Sequence, residues 1–509
     1  MANRNSKAGE FADGSKEAIG NLPELNTGTN TNSRVLVTEA DTDNTAKFYN
    51  EHKEAARPLT PEIAYALTRR NFWYLLCQTW WISFLIHLDE STLSQASTMG
   101  IFDDVNMTKK QYNDLFVLYY TGYLHFITGS LFIWALLVGV HPAVKTGQQL
   151  MAVRFLLGLT ASQIIPSTTV LHQSFFPPKS SPWVQLLWWS AGSVANVLLT
   201  MVAYKLIIDE GNGVLVAGIA SWKWMNIMCA IITFVIFAPL VIFLPNSPVD
   251  AKWLNTEQKV HTIAVIRDTH SGIANSSFKW SQVQECFADI KSWMFFFHMF
   301  WNEIPNNTSQ QLPLIIPLWG SVLVLITAAM MYGTKLGTGY VCAISYLPCT
   351  IGGIIELTAP WSNKVALVVG TQISSFKPSY LLGLTWAGTT TTGYTKKMCL
   401  MTTCVIAAAA SNMIAPEFWQ EKYQPRYRLP WAFMTAAWVI CPLMCLLIRF
   451  YLKRENDRRD KLMAEQQSAE SEADKELLAI FGEDHEVLKI HEADLDLTDR
   501  ENLKFRYPL

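Results

Sequence analysis

The chain has 509 residues, half of them hydrophobic and only 16% charged, against roughly 25% charged in an average soluble protein. Its net charge of −2 argues against a nucleic-acid partner. Nineteen Trp beside long apolar runs suit a bilayer, where Trp anchors at the interfaces. The composition therefore predicts an all-α integral membrane protein rather than a soluble enzyme.

Residues 1–70 are polar and predict a disordered cytoplasmic N-terminal tail. The first apolar run after them is expected to act as a signal anchor. A membrane helix needs about 20 apolar residues. Such runs fall at 71–92, 111–141, 148–170, 183–208, 225–244, 292–316, 317–334, 338–358, 363–388, 398–417 and 429–452. The run at 111–141 is too long for one comfortable span and too short for two. Residues 292–334 read as two spans fused near Leu312, Pro313 and Pro317. Counting 111–141 as two shortened helices gives about 12 spans in two sets of six.

An N-terminal transmembrane half, 71–244, is thus divided from a C-terminal half, 292–452, by a polar loop at 245–291. That loop carries Lys252, Lys259, Arg267, Lys279 and Lys291. An acidic tail, 453–509, opens on Lys453, Arg454, Arg458, Arg459 and Lys461, while Arg57, Arg69 and Arg70 precede the first span. All three basic regions lie in the cytoplasm only if each half has an even number of spans. Six plus six satisfies this and five plus six does not. Two helical halves around a long central loop predict a transporter with its site near the midplane.

Ionisable groups inside a span cost at least about 2.5–3.5 kcal/mol each, so they are expected to face a cavity or a partner. Arg154 is the clearest of them. Gly158, Ala161 and Ser162 share its helical face and leave room around a guanidinium suited to a carboxylate. Its bland reading is an internal ion pair or a side chain that snorkels to the headgroups. In the first span Ser83, His87, Glu90, Ser91 and Ser94 form a polar stripe with Asp89 beside it. The seventh span repeats the theme with His298, Asn302, Pro305, Asn306 and Ser309. Substrate contact is assigned to Arg154, His87, Asn302, Asn306 and Lys377, the last beside the helix-breaking Pro378. Proton coupling is assigned to Asp89, Glu90, His298 and Glu303, since a histidine titrates near physiological pH. The competing reading is that these groups satisfy one another between helices. Ser193, Asn196 and Thr200 form a small polar face on the fifth span that suits packing, and Glu356 is either a proton site or a helix-end residue.

Eight of nine cysteines lie in apolar runs and Cys286 in a polar stretch, with no C-x-x-C or Cys/His spacing. They read as small buried hydrophobes, so no metal or cofactor beyond a coupling proton is expected. His87/Asp89 and His298/Glu303 have no metal-ligand company in the sequence, which disfavours a membrane-embedded enzyme. Of the N-x-S/T sequons, at Asn106, Asn275, Asn306 and Asn307, only Asn106 falls in an outside loop.

Several stretches resemble the fungal allantoate permease-like anion:cation symporters of the major facilitator superfamily. They are LDESTLSQASTMGI (88–101), VRFLLG (153–158), WKWMNIMCAIITF (222–234), FLPNSPVDAKWLN (243–255), FKWSQVQECFADIKSW (278–293) and IPNNTSQQ (304–311). In the tail, LKRENDRRDKL (452–462) and DLTDRENLKFRY (496–507) match as well. The resemblance implies a monomeric twelve-helix plasma-membrane transporter, both termini cytoplasmic, that takes up an anion such as allantoate, nicotinate or pantothenate with protons. It places Arg154 at the family's fourth-helix arginine and Asp89 at its first-helix aspartate. Three features depart from the family pattern. The basic loop between the second and third helices is missing where TGYLHF runs into ITGSLFIWALL, a second gap follows Ile316, and Ala161 stands where many relatives have an acid. The gaps fit either a faulty gene model or a decayed copy that no longer transports. An exporter of a fungal metabolite and a non-transporting nutrient sensor remain as alternatives.

Overall fold

The computed structural model describes residues 48–49, 51–53, 55–96, 99, 130–161, 164–212, 219–245, 247–267, 279–306, 318–333, 336–374, 379–419, 421–423, 426–469, 477–481, 486–490 and 497–509. All belong to one compact unit, Thr38–Leu509. The first set of helices is α1 (Pro61–Ala96), α2 (Ser130–Val140), α3 (Gly147–Ala161), α4 (Ile164–Phe175), α5 (Ser181–Gly211) and α6 (Ser221–Phe243). The polar loop forms α7 (Thr256–Arg267) and α8 (Trp280–Ala288). There follow α9 (Ile290–Glu303), α10 (Leu318–Gly333), α11 (Thr338–Ile344), α12 (Leu347–Thr358), α13 (Lys364–Ser374), α14 (Ser379–Thr389), α15 (Tyr394–Ile414) and α16 (Arg428–Ala469).

Among the described residues, Gly147–Phe175, Ser181–Gly211, Thr338–Thr358, Tyr394–Phe418 and Arg428–Glu465 are long and apolar enough to cross a membrane. The 31 residues of α5 extend about 46 Å at 1.5 Å per residue, more than the ~30 Å hydrocarbon core. Large apolar side chains stay exposed on the helices, including Met201 and Tyr204 on α5, Val365 on α13 and Leu443 and Phe450 on α16. On a soluble protein so much bare apolar surface is a liability. Facing lipid tails, it is the expected outer surface.

Among the described residues, two large cores lie inside, beside a smaller one around Leu75, Phe175 and Val184. One joins α1, α2, α3, α5 and α6 through Leu85, Trp134, Leu157, Ala191 and Met225. The other joins α9, α11, α12, α14, α15 and α16 through Phe295, Tyr346, Trp386, Met401 and Trp438. Helix α5 packs along α1 with the small residues Ala191, Ala195 and Ala203 buried, the sequence type that lets membrane helices approach closely. It also meets α10 and α14, where the halves touch. Within α16, Pro442 has no N–H to offer the carbonyl of Trp438 one turn back. The hydroxyl of Thr350, from α12, donates to that carbonyl at 3.2 Å instead. A proline is tolerated in a membrane helix on this condition.

Several expected spans differ in detail. The span at 338–358 bends at Ser345 and Tyr346 before Pro348. Of 363–388, Lys364–Ser374 is α13 and the rest from Ser379 belongs to α14, with 375–378 outside the described residues. Only 130–141 of the long run at 111–141 lies among the described residues, as do 292–306 of the next problematic region up to Leu318. The sequons at Asn106, Asn275 and Asn307 lie outside them.

The C-terminal tail is more structured than its acidic composition suggests. Helix α16 runs on to Ala469, and β1 (Leu477–Phe481) pairs antiparallel with β2 (Glu486–Ile490). Residues 497–509 return to the helical body, burying Asp499, Phe505 and Tyr507. Asp499 accepts from Lys291 Nζ at 2.7 Å and from Lys396 Nζ at 2.8 Å, at the first turns of α9 and α15. Arg459 Nη2 donates to the Asp499 carbonyl at 2.7 Å and its Nη1 to the Phe505 carbonyl at 3.0 Å. Burial alone would raise the Asp499 carboxyl, but the charges of Lys291 and Lys396 outweigh it and hold it well below the usual carboxylate range. On the N-terminal half, the polar loop does the equivalent work. Asn71 Nδ2 donates to Thr262 Oγ1 at 3.2 Å, and Trp253 Nε1 donates to Asn71 Oδ1 at 3.2 Å.

Candidate functional site

Arg154 is held by its position on α3, with Leu150, Leu157, Gly158 and Ala161 buried around it. It is 3% exposed. Its Nη1 lies 3.9 Å from Asp89 Oδ2 and its Nη2 donates to Thr92 Oγ1 at 3.2 Å. Its Nε finds no hydrogen-bond partner among the described residues. An ion pair at 3.9 Å is a long one, since charge-assisted N–H···O contacts settle near 2.7–2.9 Å. Arg154 and Asp89, assigned separately in the sequence, are therefore brought together across α1 and α3.

The other polar positions on α1 turn to α5. Ser91 donates to Asn196 Oδ1, and Gln95 Nε2 donates to Thr200 Oγ1 at 3.0 Å. The expectation that Asn196 and Thr200 serve packing fits these bonds. His87 contacts its own helix through Nδ1 and the Ser83 carbonyl, 2.7 Å apart, and lies edge-on to Trp189 with ring centroids 4.2 Å apart. Gly192 lets α5 approach that ring, because a Cβ there would stand 2.5 Å from it. Glu90 sits on α1, with its side chain outside the described residues.

A second cluster lies on α9. Tyr346 donates its hydroxyl to Asn302 Oδ1 at 2.6 Å, and the same hydroxyl lies 3.0 Å from His298 Nε2. Ser379 also donates to Asn302 Oδ1, at 3.0 Å, while Asn302 Nδ2 donates to Glu303 Oε1 at 2.8 Å. Asn412 Nδ2, from α15, reaches Glu303 Oε2 at 3.2 Å. His298, Asn302 and Glu303 are thus one buried network. Asn306 closes the 3-10 turn after α9 with its side chain outside the described residues, and Lys377 lies outside them altogether. Glu356 accepts from Thr371 at 2.5 Å between α12 and α13.

Two features escape a linear reading. Thr79, His172 and Gln185 form a buried chain, with His172 Nε2 2.9 Å from Thr79 Oγ1 and Nδ1 2.6 Å from Gln185 Oε1. They lie on three separate helices, so no spacing along the chain links them. Cys342 and Cys445 converge on His298, although 44 and 103 residues separate the successive positions. The absence of a Cys/His spacing along the chain therefore does not carry over to space.

These helices and paired halves have close relatives in sequence. An uncharacterized transporter of Schizosaccharomyces pombe is 30% identical, covering 92% of this chain and 88% of its own. The chain belongs to the allantoate permease-like family of major facilitator superfamily transporters. Within this family, the high affinity cysteine transporter of Saccharomyces cerevisiae is 28% identical over 93% of this chain and 97% of its own. The allantoate permease of the same yeast is 23% identical over 96% and 94%. Among solved structures, the proton:xylose symporter XylE aligns with a TM-score of 0.54 at 13% identity, covering 74% of this chain and 95% of its own. That likeness gives the major facilitator fold. No protein-family model matches the chain. Family membership makes it a multi-pass membrane transporter and not an enzyme.

Proposed function

We propose that this transporter carries a small organic anion inward together with protons, binding a carboxylate at Arg154. The supporting observation is the guanidinium itself, 3% exposed, 3.9 Å from Asp89 and with Nε unfilled. A buried arginine with spare donors is a site for a planar, bidentate anion. Asp89 and an incoming carboxylate compete for that charge. Protonating Asp89 removes the competitor, so proton and anion bind together without the acid that Ala161 replaces. Cysteine and allantoate, the molecules named for two relatives, both bear a carboxylate, which fits this site. In this reading the protein is a plasma-membrane monomer with both termini cytoplasmic. His87 and Asn302 also contact the anion in this reading, and Glu303 takes part in proton coupling.

The test is uptake of a radiolabelled carboxylate panel at acidic and neutral pH in yeast stripped of its own relatives. One anion should enter faster at acidic pH, and Arg154→Ala should lower its entry roughly 10- to 100-fold. Asp89→Asn should retain entry but lose the pH response. Silence toward the whole panel despite full surface expression would overturn the importer reading.

A further inference from the structure

His298, Cys342 and Cys445 are all buried, and one donor atom from each lies within 4.8 Å of the others. Cys445 Sγ stands 3.1 Å from His298 Nε2 and 3.5 Å from Cys342 Sγ. They come from α9, α11 and α16, so the chain brings three helices to one point. His298 is fixed there by α14, where a Cβ on Gly383 would stand 2.8 Å from the ring. The ring nitrogen that faces the sulfurs is Nε2, 3.1 Å from Cys445 Sγ, while Nδ1 has no hydrogen-bond partner among the described residues.

We propose that these three side chains bind a thiophilic divalent cation of the Zn2+ kind. With Zn–S bonds near 2.3 Å and Zn–N bonds near 2.0–2.1 Å, a tetrahedral ion sets its sulfurs about 3.8 Å apart and nitrogen to sulfur about 3.6 Å. The observed 3.5 and 3.1 Å need only small outward shifts to admit it. Two thiolates and one imidazole with an open fourth position is a known zinc donor set. The Tyr346 oxygen, 3.0 Å from His298 Nε2, is a candidate for that position.

Charge favours a divalent ion. Each thiol releases its proton on binding, and two thiolates then neutralise the ion. The filled site adds no net charge to the apolar interior, where isolated charges are costly. Soft sulfur donors select against Mg2+ and Ca2+. The bound ion would clamp α9, α11 and α16. This inference stands apart from the anion reading, since it needs no transport to be tested.

The experiment uses the full-length protein purified in detergent. After incubation with Zn2+ and dialysis, elemental analysis should find one equivalent retained. Replacing Zn2+ with Co2+ should give the near-ultraviolet thiolate-to-cobalt absorption. Cys342→Ala/Cys445→Ala should lose both signals, whereas Cys286→Ala should keep them. Wild-type protein alone supplies a check free of folding defects: Zn2+ should slow alkylation of Cys342 and Cys445 at least tenfold, and leave Cys77 unprotected. No retained zinc, retention by the double variant, or a disulfide joining Cys342 to Cys445 would overturn the proposal.

Discussion

Two buried ion pairs in this protein are built to opposite tolerances. At the tail, Asp499 takes hydrogen bonds of 2.7 and 2.8 Å from Lys291 and Lys396, with Tyr507 adding a third at 2.7 Å. Lys396 also reaches Glu285 at 2.8 Å and Asp289 at 3.1 Å. In the membrane interior, Arg154 and Asp89 stand 3.9 Å apart with donor capacity left over. Burial is equally severe in both places, so it does not explain the difference. A saturated network suits a fixed joint, because every group removed leaves a charge without compensation. A slack pair suits a site that must exchange partners during each cycle.

The largest effect should come from breaking the joint. Asp499→Ala strands Lys291 and Lys396, and losing one partner of a buried pair costs about 3–5 kcal/mol. The purified variant should melt at a lower temperature than any other described here, and an unchanged melting point would show the tail to be an ornament. Acid should act in the same direction. The Asp499 carboxyl is depressed in the folded protein, so its contribution is complete above the unfolded value near 3.9 and fades as pH falls toward the folded one. Below about pH 4, wild-type stability should therefore decline more steeply than that of Asp499→Asn.

Breaking the slack pair should separate function from stability. Arg154→Ala removes hydrogen bonds to charge worth about 1.5–3 kcal/mol, which lowers uptake roughly 10- to 100-fold at sub-saturating substrate. The melting point should move less than in Asp499→Ala. A variant that loses both in proportion would assign Arg154 to scaffolding.

Much of this contrast was legible in the sequence, and for a physical reason. A polar or charged group in an apolar run is conspicuous, so Arg154, Asp89 and His298 are visible in the sequence, and the apolar runs mark the helical membrane class. The partner of each was not legible, because helix-to-helix register depends on packing that no periodicity records. Asp499 shows the limit most clearly. It sits in an acidic segment that reads as solvated, and only the lysines of α9 and α15 make it structural. Cys342 and Cys445 read as small buried hydrophobes along the chain, since their convergence on His298 is a property of three helices together.

A smaller effect tests whether α1 and α5 are themselves a fixed joint. Gly192→Ala puts a methyl 2.5 Å from the His87 ring, and overpacking a tight interior costs about 1–3 kcal/mol. The melting point should fall accordingly. Restoration by Gly192→Ala/His87→Ala would show that the clash itself, and not helix flexibility, is responsible. If Gly192→Ala leaves stability untouched, the ring is free to move and the α1–α5 seam belongs with the slack region.

The smallest effect concerns the proline in α16. Thr350 donates to the Trp438 carbonyl that Pro442 leaves without a helical partner. It also donates to its own helix at Tyr346, 3.0 Å away, so the hydroxyl divides its proton between two acceptors. Thr350→Val keeps the shape and removes the donor, which should cost about 1 kcal/mol. The second substitution decides the cause. Pro442→Ala restores the N–H to the ladder, so Thr350→Val should cost little in that background. A loss of the same size with alanine at 442 would mean that the hydroxyl serves α12 and not the kink.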